Sequence, residues 1–179
     1  MNALVTVLDH DHADDVRAMW AEVEETFGVA VQYAKPFTHF SYHVAADEYD
    51  LDRVGPVLDE IATKHPPFTV RTTGLGVFTG SEPVIYVSVE RSEELDHLHH
   101  DLWESCTPRF GIGLPYYAPD AWVPHVTLAQ GARTRSRLPE ITSALEARDL
   151  EWELAVDNLA VIEDGGKERG LRHTVALSG

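Results

Sequence analysis

One cysteine, three lysines and no long apolar run mark this chain of 179 residues, and each scarcity excludes something. The lone Cys106 rules out an internal disulfide. No stretch approaches the ~18 apolar residues of a membrane span. Met1–His10 lacks the basic start and apolar run of a signal peptide, so a cytoplasmic location is expected. With 14 basic residues against 30 acidic ones the formal charge is -16, which argues against a protein that coats long nucleic acids through phosphate neutralisation. A nucleotide partner, if there is one, is then small or a chain terminus. Hydrophobic residues make up 44%, enough at this length for one domain, or two small lobes sharing a core.

What is present begins with a strand over Ala3–Leu8, followed by Val16, Met19, Trp20, Val23 and Phe27 at helical spacing, with Gly28 placed to stop the helix. A strand over Phe37–Ala45 comes next. A helix near Asp52–Lys64 then carries Pro56 near its first turn. Phe68–Phe78 and Val84–Val89 read as a hairpin. The order then repeats. Ser92 caps a helix burying Leu95, Leu98, Leu102 and Trp103, a Gly/Pro-rich loop leads to a strand over Trp122–Ala129, and a helix near Leu138–Ala147 follows. Trp152–Ile162 and Leu171–Leu177 form a second hairpin across Asp164-Gly165-Gly166.

Two segments of this repeat are alike in chemistry: Thr38-His39-Phe40-Ser41-Tyr42 and Pro124-His125-Val126-Thr127-Leu128. Each sits in a strand downstream of a proline, Pro36 or Pro124. Alternation along a strand puts His39 with Ser41, and His125 with Thr127, on one face, while the apolar neighbours anchor the other. An imidazole beside a hydroxyl, presented twice, suits phosphate chemistry. The two histidines are 86 positions apart, Phe68 and Trp152 84, and Val84 and Leu171 87. This register predicts one bilobal domain over 1–179 with approximate repeats 10–90 and 91–179. The expected class is α+β: two duplicated lobes with mainly antiparallel sheets about a pseudo-two-fold axis, helices outside, and a cleft between lobes. Such a closed domain has no evident need of a partner copy, so a monomer is expected.

With one His-x-Ser/Thr motif in each half, the chain resembles the 2H phosphoesterase superfamily, particularly its 2'-5' RNA ligase (cyclic phosphodiesterase) branch. Val123-Pro124-His125-Val126-Thr127-Leu128-Ala129 matches the second motif without alteration, whereas His39-Phe40-Ser41 has Ser for the commoner Thr and aromatic neighbours. The resemblance implies cofactor-free, metal-independent chemistry on a 2',3'-cyclic phosphate or 2'-5' phosphodiester of an RNA end or small nucleotide. His39 and His125 would serve as acid and base, with Ser41 and Thr127 holding phosphate oxygens. His43 shares the His39 face by the period of two, and Tyr42, Tyr116 and Tyr117 are candidates to line the cleft, with Phe78 and Trp122 as further stacking surfaces. Arg133, Arg135 and Arg137 follow the second motif and form either a solvated turn or a phosphate-recruiting rim.

Two other readings compete. Asp9-His10-Asp11-His12-Ala13-Asp14-Asp15 looks like a metal-ligand run, making a metal-dependent hydrolase using His10, His12 and Asp14 the rival enzyme; a polar loop before an acidic helix start accounts for it better. A nucleotide-binding module without turnover is the non-catalytic alternative. His97, His99 and His100 are expected on a solvated helix face.

Overall fold

The computed structural model describes residues 2–30, 37–45, 49–111, 113–163 and 170–179. Pro36 and the Asp164-Gly165-Gly166 turn lie outside them. In chain order the elements are β1 (Asn2–Val7), α1 (His10–Phe27), β2 (His39–Ala45), α2 (Leu51–Ala62), β3 (Phe68–Phe78), β4 (Val84–Val89) and α3 (Glu93–Phe110). A 3-10 turn (Pro115–Tyr117), β5 (His125–Gln130), α4 (Ala132–Ser136), α5 (Leu138–Glu146), β6 (Glu153–Val156), β7 (Asn158–Glu163) and β8 (Gly170–Ala176) complete it.

Local chemistry sets the helix ends. The Asp9 carboxylate accepts from the His12 backbone N–H at the start of α1, and Gly28 ends it in the left-handed region that glycine adopts without cost. Ser92 caps α3 through the Leu95 N–H. Pro56 falls just past the first turn of α2, which starts at Leu51, and one backbone hydrogen bond is forgone there.

All strand pairings are antiparallel, in two four-stranded sheets of order β2-β1-β7-β8 and β5-β4-β3-β6. The lobes are therefore not the sequential halves. β3 and β4 share a sheet with β5, whereas the C-terminal β7 and β8 join β1 and β2. The spacing of 87 between Val84 and Leu171 likens β4 to β8; topology instead likens β4 to β1, since each is an inner strand flanked by a His strand, while β8 is an edge. The expected strand Trp152–Ile162 breaks at Asp157, its first part pairing with β3 and its second with β1. Asn158 fixes that crossing by accepting from Val7 N and donating to Val7 O. One apolar cluster runs through both lobes, from Leu4, Trp20 and Phe40 to Leu128, Ile141 and Leu154. Burial on that scale is the main favourable term of folding. It leaves β2 and β5 as neighbouring edges of the two sheets, packed against each other.

Candidate active site

Both motif strands are built the same way. His39 donates its Nδ1–H to the Phe37 carbonyl at 2.7 Å, and His125 donates its Nδ1–H to the Val123 carbonyl, also at 2.7 Å. A carbonyl can only accept, so each neutral ring carries its proton on Nδ1 and leaves Nε2 as the free base. In β2 the register with β1 passes from Ser41 to His43, making Tyr42 the extra residue of a bulge; in β5 the register with β4 passes from Thr127 to Ala129, making Leu128 the extra one. Each bulge follows the motif hydroxyl directly. A bulge takes backbone groups out of the ladder, and in both strands an indole fills the gap: Trp122 donates to Ser41 O and Trp20 to Thr127 O, each at 2.9 Å.

The imidazoles differ in their surroundings. The His125 ring meets Phe78 edge-on at 4.9 Å between centroids and Tyr86 at 5.1 Å. The Tyr86 ring lies over Gly76 of β3, where a Cβ would come within 2.4 Å of it. Burial holds the His125 pKa below the usual histidine value, against the opposing pull of the Val123 carbonyl. Burial lowers that of His39 as well; the Phe37 carbonyl raises it and the charge of His125 lowers it further, so the two rings sense each other. Both are neutral in the free protein at pH 7.

A cleft of about 620 Å³ opens beside His125, walled by Phe78, Val84, Leu114, Val123 and the half-buried Tyr117, with Tyr116 at its mouth, 77% exposed. Glu82 is its one charged wall residue among those described. Ser41 is 9% exposed, and its hydroxyl draws down the pKa of the nearby Tyr117 phenol, which burial pushes up to about 12. Thr127 is half-buried.

Several expected cleft residues lie elsewhere. Tyr42 is in the core, edge-on to Phe40 and hydrogen-bonded to the Thr6 hydroxyl at 2.7 Å. The bulge breaks the period of two, so His43 leaves the His39 face: its Nε2–H donates to Gly111 O, its Nδ1 accepts from Tyr49, and it is fully buried. Trp122 is likewise buried, behind the motif rather than in the cleft. Arg133 donates to Gly28 O and lines a second hollow of about 360 Å³ that meets the first at Glu82. Of the acidic run, His12 gives its Nδ1 to Asp9 at 2.6 Å, while His10 is exposed and pairs with Asp14 at 3.4 Å; among the described residues no three His, Cys, Asp or Glu side chains converge. His97 and His100 are exposed as expected, but His99 is 1% exposed. Its spacing from Leu95, Leu102 and Cys106 on one helix face carried that signal, which the three-histidine cluster obscured.

The profile of the 2'-5' RNA ligase superfamily matches residues 11–168. The chain belongs to that superfamily. Among curated proteins it is similar to "Putative phosphoesterase GK0864" of Geobacillus kaustophilus strain HTA426, 25% identical over 127 residues, covering 71% of this chain and 69% of that one. It is also similar to "Putative phosphoesterase Bcer98_0945" of Bacillus cytotoxicus, 28% identical over 117 residues, 65% of this chain and 63% of that one. Among solved structures, TT0787 of Thermus thermophilus shares the fold with a TM-score of 0.72 at 17% identity, covering 99% of this chain and 98% of its own. E. coli LigT follows at 0.55 and 16%, and Kluyveromyces marxianus Usb1, solved with uridine monophosphate, at 0.51 and 15%, each with 99% of this chain and 97% of the other covered. Superfamily membership makes this an enzyme of the 2H phosphoesterase type.

Proposed function

We propose that the chain is a metal-independent phosphodiesterase acting on a 2',3'-cyclic phosphate or 2'-5' phosphodiester of an RNA end or small nucleotide. The observation that carries this is the twin anchoring of His39 and His125, each with Nδ1–H tied to a carbonyl two residues back, which leaves the lone pair on Nε2. One Nε2 takes the proton of an attacking water as the oxygen–phosphorus bond forms; the other, protonated, gives its proton to the ribose oxygen as its bond to phosphorus breaks. The Ser41 and Thr127 hydroxyls hold non-bridging oxygens and stabilise the charge that develops on them. The acidic chain and a cleft with one carboxylate and no cation among its described walls favour a small ligand over a long polyanion. The uridine monophosphate held by Usb1 agrees with a nucleotide of that size.

Because both histidine pKa values are lowered, the active form with one imidazole protonated populates on the acid side of neutrality. A bell-shaped kcat/KM profile centred below the ordinary histidine pKa of about 6.5 is expected. The test is hydrolysis of 2',3'-cyclic nucleotides in excess chelator by wild type, His39→Ala and His125→Ala. Turnover that survives chelation and vanishes in both variants supports the proposal. Chelator-sensitive turnover, or full activity in His125→Ala, sinks it.

A further inference from the structure

His99 stands outside the acid–base pair, yet it touches the backbone on either side of the site. Its Nε2 lies 3.1 Å from Tyr42 O and 3.0 Å from Tyr117 O. Both are acceptors, so a single Nε2–H is shared between them. Nδ1 is then a bare acceptor, buried with no hydrogen-bond partner among the described residues. Burial drives the pKa of this ring down to about 4, with the Tyr42 and Tyr117 carbonyls and Asp96 opposing and Arg91 assisting, so it is neutral at pH 7.

The two carbonyls belong to the parts that must be brought together. Tyr42 is the bulged residue next to Ser41, and its carbonyl finds its partner on α3. Tyr117 carries the phenol that meets the Ser41 hydroxyl and walls the cleft beside His125. The ring of His99 also stacks on Trp122 at 3.8 Å and 17°, the same indole that donates to Ser41 O. The loop is docked on β2 a second time by Leu114 N–H to Val44 O, where Gly113 leaves room that a Cβ would take from that carbonyl.

We propose that His99 is a positioning residue: one imidazole clamps the β2 bulge, the Tyr117 loop and Trp122 together, and so sets the Ser41 hydroxyl in line with the cleft entered by His125. This rests on the reading of Ser41 as a phosphate-holding group. The shared N–H requires a donor at the Nε2 position. His99→Gln keeps one there, His99→Phe keeps the ring without it, and His99→Asn stops short of it.

Kinetics on a 2',3'-cyclic nucleotide, taken on folded protein, should show His99→Phe and His99→Asn losing about tenfold or more in kcat with KM within about threefold, and His99→Gln restoring most of the loss. Combined with Tyr117→Phe, the loss should be at least about threefold smaller than the product of the single losses, because both act through Ser41. Unchanged kcat in His99→Phe and His99→Asn, or losses that multiply, would overturn the clamp. An arm without substrate separates this from the parent reading: the nuclear Overhauser effect between the Tyr117 ring and the Ser41 β-protons should persist in His99→Gln and vanish in His99→Asn. Persistence in both refutes the clamp whether or not wild type turns over. Should wild type show no turnover while the Overhauser effect still vanishes in His99→Asn, the proposed activity is refuted and the clamp stands.

Discussion

β2 and β5 carry the same motif with the same supports: an Nδ1 anchor two residues back, a bulge directly after the hydroxyl residue, and an indole on that residue's carbonyl. They part company at the hydroxyl. Ser41 is buried with the Tyr117 phenol nearby, while Thr127 is half-buried. They differ again behind the bulge. The Tyr42 carbonyl is held by His99 on α3, whereas α1, packed on β5, buries only apolar residues: Ala13, Val16, Met19, Trp20 and Val23. One strand is thus held by polar bonds from an inserted loop and helix, the other by apolar packing and a single indole. Ser41 lacks the methyl that Thr127 carries, and the Tyr117 phenol is a second hydroxyl nearby.

The histidines are the first test of this likeness. Equal roles predict that His39→Ala and His125→Ala each lower kcat by about 10³-fold or more, within the range of general acid–base catalysis combined with lost orientation. A tenfold gap between them, read in steady-state kinetics, ends the symmetry.

Stability against pH separates the strands next. Unfolded, His99 titrates near the ordinary 6.5; folded, near about 4, so the unfolded chain binds the extra proton between those values. Stability is therefore lost as pH falls through that window, by roughly 3 kcal/mol from this ring. Urea melts of wild type and His99→Gln from pH 7 to 4 should show the flatter curve in the variant, and parallel curves would refute the assignment.

The two hydroxyls give a smaller contrast. Thr127→Ala should cost about 10²-fold in kcat/KM and Ser41→Ala only about tenfold, because the Tyr117 phenol remains beside Ser41 to donate. Adding Tyr117→Phe to Ser41→Ala should bring the loss to the Thr127→Ala level.

The smallest effect concerns the indoles. Trp20→Phe and Trp122→Phe each leave a bulge carbonyl without its donor and should cost about 1 kcal/mol beyond lost packing, seen in thermal denaturation. Trp122→Phe alone should also lower kcat, since its ring bears on His99.

The elements and the superfamily were legible in the residues alone. Helical and strand periodicity placed α1, β2, β3, β4, α3 and β5 close to their true bounds because each buries one continuous face, and the paired His-x-hydroxyl spacing depends only on strand alternation. The placing of Tyr116 and Tyr117 beside His125 was legible because their loop leads directly into its strand. Packing took over wherever alternation fails or distant segments meet. The bulges turned His43 away from His39 and gave Tyr42 to the core, and no local pattern marks a bulge. Which strands share a sheet depended on the crossing at Asp157, invisible in a run that reads as one strand. His99 became a clamp rather than a solvated histidine because two carbonyls far apart in sequence needed one donor, and a buried acceptor's demand for a partner is felt only once the chain has closed around it.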